Sequence, residues 1–392
     1  VVSSQWKRED LVEDERSRGF PAVTKYGPYI FVSGSEGHRD PATEQISVKF
    51  ADDATAQCRN SYSRIAARLE KAGYSGDCAV WIQNYTSGQQ WRLERMGLWP
   101  DYFGEEQHTL AVSFGAQSRM HGINMLTTIA LAIDPAVARE ALAPSPGRGR
   151  ASRMTRVGPF LFVIGVRGHE QPGSGDKSPQ ETPQAFGVQL QYCWETIESY
   201  LRKAGATLQN FVRVDAALRG ARFLAQFDKG TRALCGGKMP FASTPFGVPL
   251  GARCEQEIGG IAVVPGEVAT TRWLPWDGTQ AESVEAGGLL FLSKVSGVGD
   301  PDSGKTNTDL LLNMPAQVRN ALTNIRQVLE RAGSSSDRLL RLDVYVRDIY
   351  AADEILQEIK AVLGSATPTL SFIGADTANG AEIEITAIAG SR

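Results

Sequence analysis

Histidine and cysteine are scarce in this chain of 392 residues, with four of the first and five of the second. The cysteines Cys58, Cys78, Cys193, Cys235 and Cys254 are odd in number, scattered, and form no CxxC pair. That spacing excludes a disulfide framework and fits a reducing, cytoplasmic setting. The histidines His38, His108, His121 and His169 show no HExxH or Cys/His ligand spacing, so no metal site is expected. No run of about 18 apolar residues is present, which excludes a membrane-spanning helix. Strong charge of either sign is missing too. The formal net charge is −3 and the basic residues are dispersed, so no nucleic-acid partner is expected. The opening stretch VVSSQWKREDLVEDERSRGF is charged and has no apolar h-region, so no secretory signal is visible in it.

What the chain does have is apolar material and length. Hydrophobic residues make up 42% and charged residues 22%, the balance of a globular protein. At this length two or three domains are expected before any motif is read. A repeat with a period of about 130 residues decides for three. Its first anchor is an apolar strand after a turn: KYGPYIFVSGSEG at 25–37, RVGPFLFVIGVRG at 156–168 and EAGGLLFLSKVSG at 285–297. Ser33, Ile164 and Ser293 are equivalent points in it.

The second anchor is an amphipathic helix ending in Ala-Gly: QCRNSYSRIAARLEKAG at 57–73, QYCWETIESYLRKAG at 191–205 and QVRNALTNIRQVLERAG at 317–333. Gly73, Gly205 and Gly333 suit the left-handed position that terminates a helix. Apolar positions such as Ala321, Ile325, Val328 and Leu329 recur at helical spacing, so one helix face covers a sheet. A strand follows each Ala-Gly, at 78–86, 210–218 and 338–346, then a shorter helix and a closing strand at 123–133, 255–264 and 381–390. The order reads roughly ββαβαβ. Pro- and Gly-containing connectors at 135–154 and 265–284 carry the opening strand of the next unit, which gives units 1–140, 141–268 and 269–392. The fold class is α+β: each unit is a mixed sheet with two helices on one face. The bare faces must be buried, and three of them meeting round a pseudo-threefold axis form an intramolecular pseudo-trimer.

The apolar strand with Ser-Gly, the helix with Ala-Gly and the closing Glu-Ile-x-Ala-Ile-Ala strand together resemble the RidA (YjgF) family of enamine and imine deaminases, three times over. The resemblance implies a chorismate mutase-like module and ligand clefts between neighbouring modules. In that family an arginine in a Pro-Ala-Arg context holds the substrate carboxylate, and a glutamate in the closing strand positions the attacking water. The glutamate position falls on Glu384 and Glu257, and on Met125 in the first copy. The arginine position falls near Leu110, on Ala242, and on Thr369 or Leu370, so no copy has the arginine. The family's glycine that offers a backbone N–H to the ligand corresponds to Gly34 and Gly165, but to Lys294 in the third copy, which brings a cation into that cleft. The family's pocket-lining aromatic corresponds to Phe20.

Read as chemistry, Glu257 and Glu384 are candidate bases or water-orienting groups, against the alternative of ordinary strand carboxylates paired with a cation. The loops SGSEGHRDP and IGVRGHEQP set Glu36 in register with Arg167 and His38 with His169, so charge differs from cleft to cleft. Gln83, Asp215 and Asp343 share one position in the middle strand and imply a polar axis, either a cleft wall or an interfacial hydrogen-bond network. Ser293 and Lys294 are neighbours on a strand and point to opposite faces, which argues against a Ser-Lys nucleophile pair. Trp91 is the tryptophan best placed to line a pocket.

The expected function is a cofactor-independent deaminase or hydrolase acting on a small enamine, imine or related unsaturated nitrogen compound in a cleft between units. The alternatives are a non-catalytic small-ligand-binding or scaffold protein, and a ring-opening amidohydrolase or lyase. The expected partner is a small-molecule substrate, with further homo-oligomerisation of the pseudo-trimer open.

Overall fold

The computed structural model describes residues 6–13, 19–40, 47, 53–86, 98–104, 110–115, 125–144, 152–168, 185–250, 254–273, 280–300, 303 and 305–392; for 110–115, 125–130 and Pro144 only the backbone is described. Trp91 and His169 lie outside the described residues.

The first unit holds β1 (Arg8–Glu13), β2 (Pro21–Tyr26), β3 (Tyr29–Ser35), α1 (Ala54–Lys71), β4 (Ala79–Thr86), α2 (Pro100–Phe103), β5 (Leu110–Gly115) and β6 (Met125–Ile133). The second holds β7 (Arg139–Pro144), β8 (Ser152–Val157), β9 (Phe160–Arg167), α3 (Phe186–Leu201), β10 (Phe211–Leu218), α4 (Leu224–Leu234), β11 (Ala242–Gly247) and β12 (Gln256–Val263). The third holds β13 (Thr270–Trp273), β14 (Ser283–Ala286), β15 (Leu289–Leu292), β16 (Val295–Ser296), α5 (Met314–Arg331), β17 (Leu339–Val346), α6 (Ala352–Leu363), β18 (Thr369–Gly374) and β19 (Ile383–Gly390).

The three sheets run β1-β2-β3-β6-β4-β5, β7-β8-β9-β12-β10-β11 and β13-β14-β15-β19-β17-β18, the same order three times. In each, the last pair is parallel and the other pairings are antiparallel. The unit is therefore βββαβαββ among the described residues, not ββαβαβ. The extra strands are the opening one, which the connectors carry, and the edge strand after the second helix. β7 begins at Arg139, so the opening strand of the second sheet straddles the expected boundary at 140.

Helix and sheet bury a separate core in each unit. Cys58, Tyr62, Ile65 and Leu69 of α1 pack on Ile30, Val32 and Ile82. Leu190, Trp194 and Ile197 of α3 pack on Val163, Val214 and Ile258, and Ile325, Val328 and Leu329 of α5 pack on Leu342, Val344 and Ile385. Side-chain caps start two of the long helices. Asp53 accepts from the Ala56 N–H at 2.8 Å and Asn313 from the Ala316 N–H at 3.2 Å. Gly73, Gly205 and Gly333 end the helical segments at φ of 84°, 66° and 74°, a region that costs other residues a Cβ clash.

The opposite sheet faces meet in one shared core. Phe31, Trp81 and Tyr85 of the first unit, Phe160, Phe162 and Phe246 of the second, and Phe291, Tyr345 and Ile388 of the third belong to a single buried cluster. This is the expected pseudo-trimer. Each unit's parallel edge strand packs on the next unit's hairpin: β5 on β8 and β9, β11 on β15, β18 on β2 and β3. Three seams result, which close the ring within one chain.

Candidate functional site

A bulge in the first long strand positions each seam. Between Val32 and Ser35, and between the residues facing Ile258 and Gly260, one strand carries an extra residue at Ser33-Gly34 and Ile164-Gly165. In the third unit the strand breaks at the same place, Ser293-Lys294, into β15 and β16. A bulge re-aims a side chain and frees backbone groups from the ladder.

The serines of this bulge clip adjacent units together. Ser293 Oγ–H donates to Ala281 O at 2.6 Å and Ser293 Oγ accepts from Ser243 N–H of the second unit at 2.9 Å. Ser33 does the same with Pro21 O at 2.7 Å and Leu370 N–H at 3.0 Å. At the third seam the equivalent residue is Ile164.

The seam between the second and third units brings Lys294 and Glu384 together. Lys294 N–H donates to Ser243 O at 3.0 Å, which fixes its backbone against the neighbour. Its ammonium donates to Glu384 Oε2 at 2.6 Å and to Pro245 O of the second unit. Both side chains are nearly inaccessible, at 7% and 2%. Glu384 Oε1 accepts from Ala378 N–H at 3.3 Å. Asp228 of α4, absent from the sequence-predicted set, lies within electrostatic reach of the pair. Burial raises its carboxyl above the usual carboxylate range, Lys294 and Arg232 oppose the rise, and Glu384 adds to it.

At the seam between the first and second units, Glu257 is 3% exposed and its Oε2 lies 4.0 Å from Arg167 Nε, with Gly165 two residues away on β9. Cys254 sits beside this pair, its thiol pushed up to about 12 by burial and by the charge of Glu257. A thiol held there is not a nucleophile near neutral pH.

The seam between the third and first units has a different content. Strand register sets Tyr85 opposite Thr127 where Ala217 faces Glu257 and Tyr345 faces Glu384. The glutamate level in the first unit is therefore Thr127, not Met125, which pairs with Thr86. Glu36 turns to Arg39 and lies 3.7 Å from His38 within its own loop. Arg68 donates to Ser33 O at 2.9 Å and Gly34 O at 3.2 Å. Phe20 is 2% exposed and packs in the helix core of the third unit, so it fills the seam. Its register equivalent in the third unit is Gln280, since Val23 and Ser283 face Val32 and Leu292; the corresponding position 151 lies outside the described residues.

The predicted residues thus divide among three seams and form no single cluster: Lys294 with Glu384, Arg167 with Glu257 and Gly165, and Gly34 with Glu36 and Phe20. Register also aligns Leu110, Ala242 and Thr369, which face Trp81, Arg213 and Arg341.

On the axis, Gln83, Asp215 and Asp343 form the interfacial network, not a cleft wall. Arg213 donates to Asp215 Oδ1 at 2.9 Å and to Asp343 Oδ2 of the third unit at 3.0 Å. Arg341 donates to Asp343 Oδ1 at 2.7 Å and to Gln83 Oε1 of the first unit at 2.9 Å. Trp81 holds the arginine position in the first unit, and the Arg213 guanidinium lies 5.8 Å from its ring centre. At one end of the axis the hairpin turns leave an open cavity of about 1020 Å³, lined by Trp6, Tyr29, Val137, Val157, Arg156 and Val268 among others. It contains none of the predicted residues, and its lining also carries the charged side chains Arg139, Glu140, Glu267 and Glu285. Among the described residues, no group of three or more His, Cys, Asp or Glu is placed to hold a metal ion, and no helix is long and apolar enough to cross a membrane.

Comparison with known proteins agrees with this architecture. Residues 280–391 match the family model described as Endoribonuclease L-PSP. A chorismatase crystal structure superposes with a TM-score of 0.55 at 16% identity, covering 80% of this chain and 93% of its own, and so shares the fold of the three-unit ring. RidA from the Antarctic bacterium Psychrobacter sp. PAMC 21119 is 21% identical over 31% of this chain and 97% of its own, with a TM-score of 0.27. A Rid-family protein from Yersinia pestis, YyfA, is 25% identical over 31% of this chain and 99% of its own, with a TM-score of 0.28. No curated protein matches the sequence.

Proposed function

We propose that the seam between the second and third units is the working site of a cofactor-independent hydrolase or deaminase acting on a small enamine, imine or related unsaturated nitrogen compound. The observation that carries this reading is the buried Lys294–Glu384 pair at 2.6 Å, held by both units at the bulge. A carboxylate in a dry site is a strong water-orienting base, and a fixed ammonium beside it stabilises charge that develops on the reacting centre. The likeness in fold to a chorismatase and to RidA proteins supports a small-molecule transformation, and the match over 280–391 covers the segment with Lys294 and Glu384. The RidA arginine has no counterpart at Leu110, Ala242 or Thr369. Without that bidentate group, 2-imino acids lose their main anchor and rank below other imines.

The seam between the first and second units, with Arg167 and Glu257, is the weaker candidate because its pair is 4.0 Å apart. The third seam has threonine at the glutamate level. A second reading, a ligand-binding protein without turnover, draws on the full occupation of Glu384, whose two oxygens are both taken. The ring-opening reading is disfavoured because Ser293 is committed to its two backbone partners.

The test is ammonia release from a panel of imines, enamines and cyclic amides. Glu384→Gln and Lys294→Met are each expected to lower kcat by about 10² to 10⁴, with Glu257→Gln close to the parent. A parent protein that binds panel members without turning any over sinks the enzyme reading and supports the second.

A further inference from the structure

We infer that the open cavity at the end of the axis is a binding site for an organic cation with an aromatic body, an aryl-substituted ammonium. The site is separate from the seams, and none of the residues proposed for catalysis lines it.

All three units build the cavity, and at about 1020 Å³ it has the size of a small-molecule site. Its rim includes Trp6, Val137 and Val268, each two residues ahead of an opening strand, and the hairpin turns at Pro28, Pro159 and Gly288. The threefold is broken at both places. Trp6 sets a wide ring where the other units have valine. It packs on Gly27, which has no room for a Cβ beneath the indole, and stands edge-on to Tyr26 and Tyr29 at 5.7 and 5.8 Å between ring centres. The third turn has glycine in place of proline, so less material fills the rim there. Tyr29 is the buried end of the lining. Its hydroxyl donates to Gly287 O at 2.8 Å, and its ring meets Phe160 of the shared core at 5.8 Å.

The charges decide the ligand. Arg156 is paired with Glu267 and donates to Gly158 O at 3.3 Å, while Arg139 donates to the carbonyls of Asp77 and, at 2.8 Å, of Ile133. The Arg139 Nε, which makes no hydrogen bond, is inaccessible. Both guanidinium groups therefore already have oxygen partners. The carboxylates of Glu140 and Glu285 make no hydrogen bond or ion pair among the described residues. Glu285 reverses the local charge. Lys25, Arg156 and Glu285 are equivalent, since they face Ile30, Leu161 and Leu290, so two units place a cation where the third places a carboxylate.

Two unpaired carboxylates and an indole ring in one apolar cavity are the chemistry of a cation site. The ring face attracts positive charge, and the valines take the apolar body. An anionic ligand of the same shape meets the unpaired acids and no unpaired cation that is accessible.

The experiment is calorimetric titration of the full chain with benzyltrimethylammonium, benzyl alcohol and phenylacetate. The ammonium is expected to bind at one site at least about tenfold tighter than either of the others. Glu285→Gln should weaken it several-fold, and Glu285→Lys, which installs the charge sign of the other units, should abolish binding. Trp6→Leu keeps the apolar bulk and removes the ring, and is expected to weaken the ammonium while leaving benzyl alcohol nearly unchanged. The Tm of each variant reports whether it is folded. Equal affinity for the three probes, preference for phenylacetate, or no binding of the ammonium overturns the inference. Parent affinity for the ammonium in folded Glu285→Lys overturns it as well, because the cation then binds elsewhere.

Discussion

The side chain that does most for the seams is a serine. Ser293 and Ser33 each satisfy one carbonyl of their own unit and one backbone N–H of the neighbour, in a place closed to water. Ser293→Ala orphans the Ser243 N–H and the Ala281 carbonyl together. A buried unpaired backbone group costs about 1–3 kcal/mol. Urea denaturation is expected to show a loss in that range for Ser293→Ala and for Ser33→Ala. A loss below about 0.5 kcal/mol, the range of ordinary surface changes, would mean that the groups find other partners. The sequence marked Ser33, Ile164 and Ser293 as equivalent, yet nothing in a serine's identity tells which carbonyl and which neighbour it will bridge. Glu384 and Lys294 were legible because they sit in repeated motifs and stand out against their copies. Asp228 was not. It lies on an amphipathic helix among other polar residues, and only the fold brings it within electrostatic reach of Lys294.

At the scale of the element, helices were the most legible part of the chain. Their 3.6-residue spacing and their terminal glycines read directly, and the three long helical segments end at the predicted Gly73, Gly205 and Gly333. Gly205 isolates the backbone contribution, since a Cβ there would meet no atom within 4 Å while φ is +66°. Gly205→Ala therefore adds left-handed strain and no clash, and is expected to cost about 1–2 kcal/mol, read as a lowered Tm. Gly205→Asn should recover part of the loss, because asparagine tolerates this region. Strands were less legible. The edge strands β11 and β18 are short, and each is buried throughout or nearly so, which erases the alternation that reveals a half-buried strand. Bulges were invisible for another reason. One extra residue leaves the apolar pattern intact, and only pairing shows it. Register also moves the first-copy glutamate position from Met125 to Thr127, because only pairing fixes which residues share a level across the sheet.

For the molecule as a whole, the question is what makes three separately cored units close in one order. The shared apolar core holds any of them together, but its residues do not distinguish neighbours. The axial network does. Arg213 reaches forward to Asp343 of the third unit, Arg341 reaches forward to Gln83 of the first, and Trp81 meets Arg213 to complete the circuit. The signal was present in sequence as RVD at 213–215, RLD at 341–343 and WIQ at 81–83. In sequence the arginines do not stand out, because an arginine two residues from an aspartate ordinarily sits at the surface. Here both guanidinium groups are buried, at 0% and 1% exposure. Removing one partner of a buried ion pair costs about 3–5 kcal/mol, whereas replacing the whole set with apolar residues of similar size is often neutral. Arg213→Met alone is expected to lose that amount, and a variant with Arg213, Asp215, Arg341 and Asp343 all made apolar is expected to lose much less. The pH dependence follows in sign. Burial already holds Asp215 above the usual carboxylate range while Arg213 opposes the rise, so removing the guanidinium moves Asp215 further up. A raised carboxyl contributes stability below its unfolded value and loses it as pH climbs through the folded value. The deficit of Arg213→Met should therefore be smallest near pH 4 and grow toward neutrality, and a deficit independent of pH would show that Asp215 is not unpaired by the change.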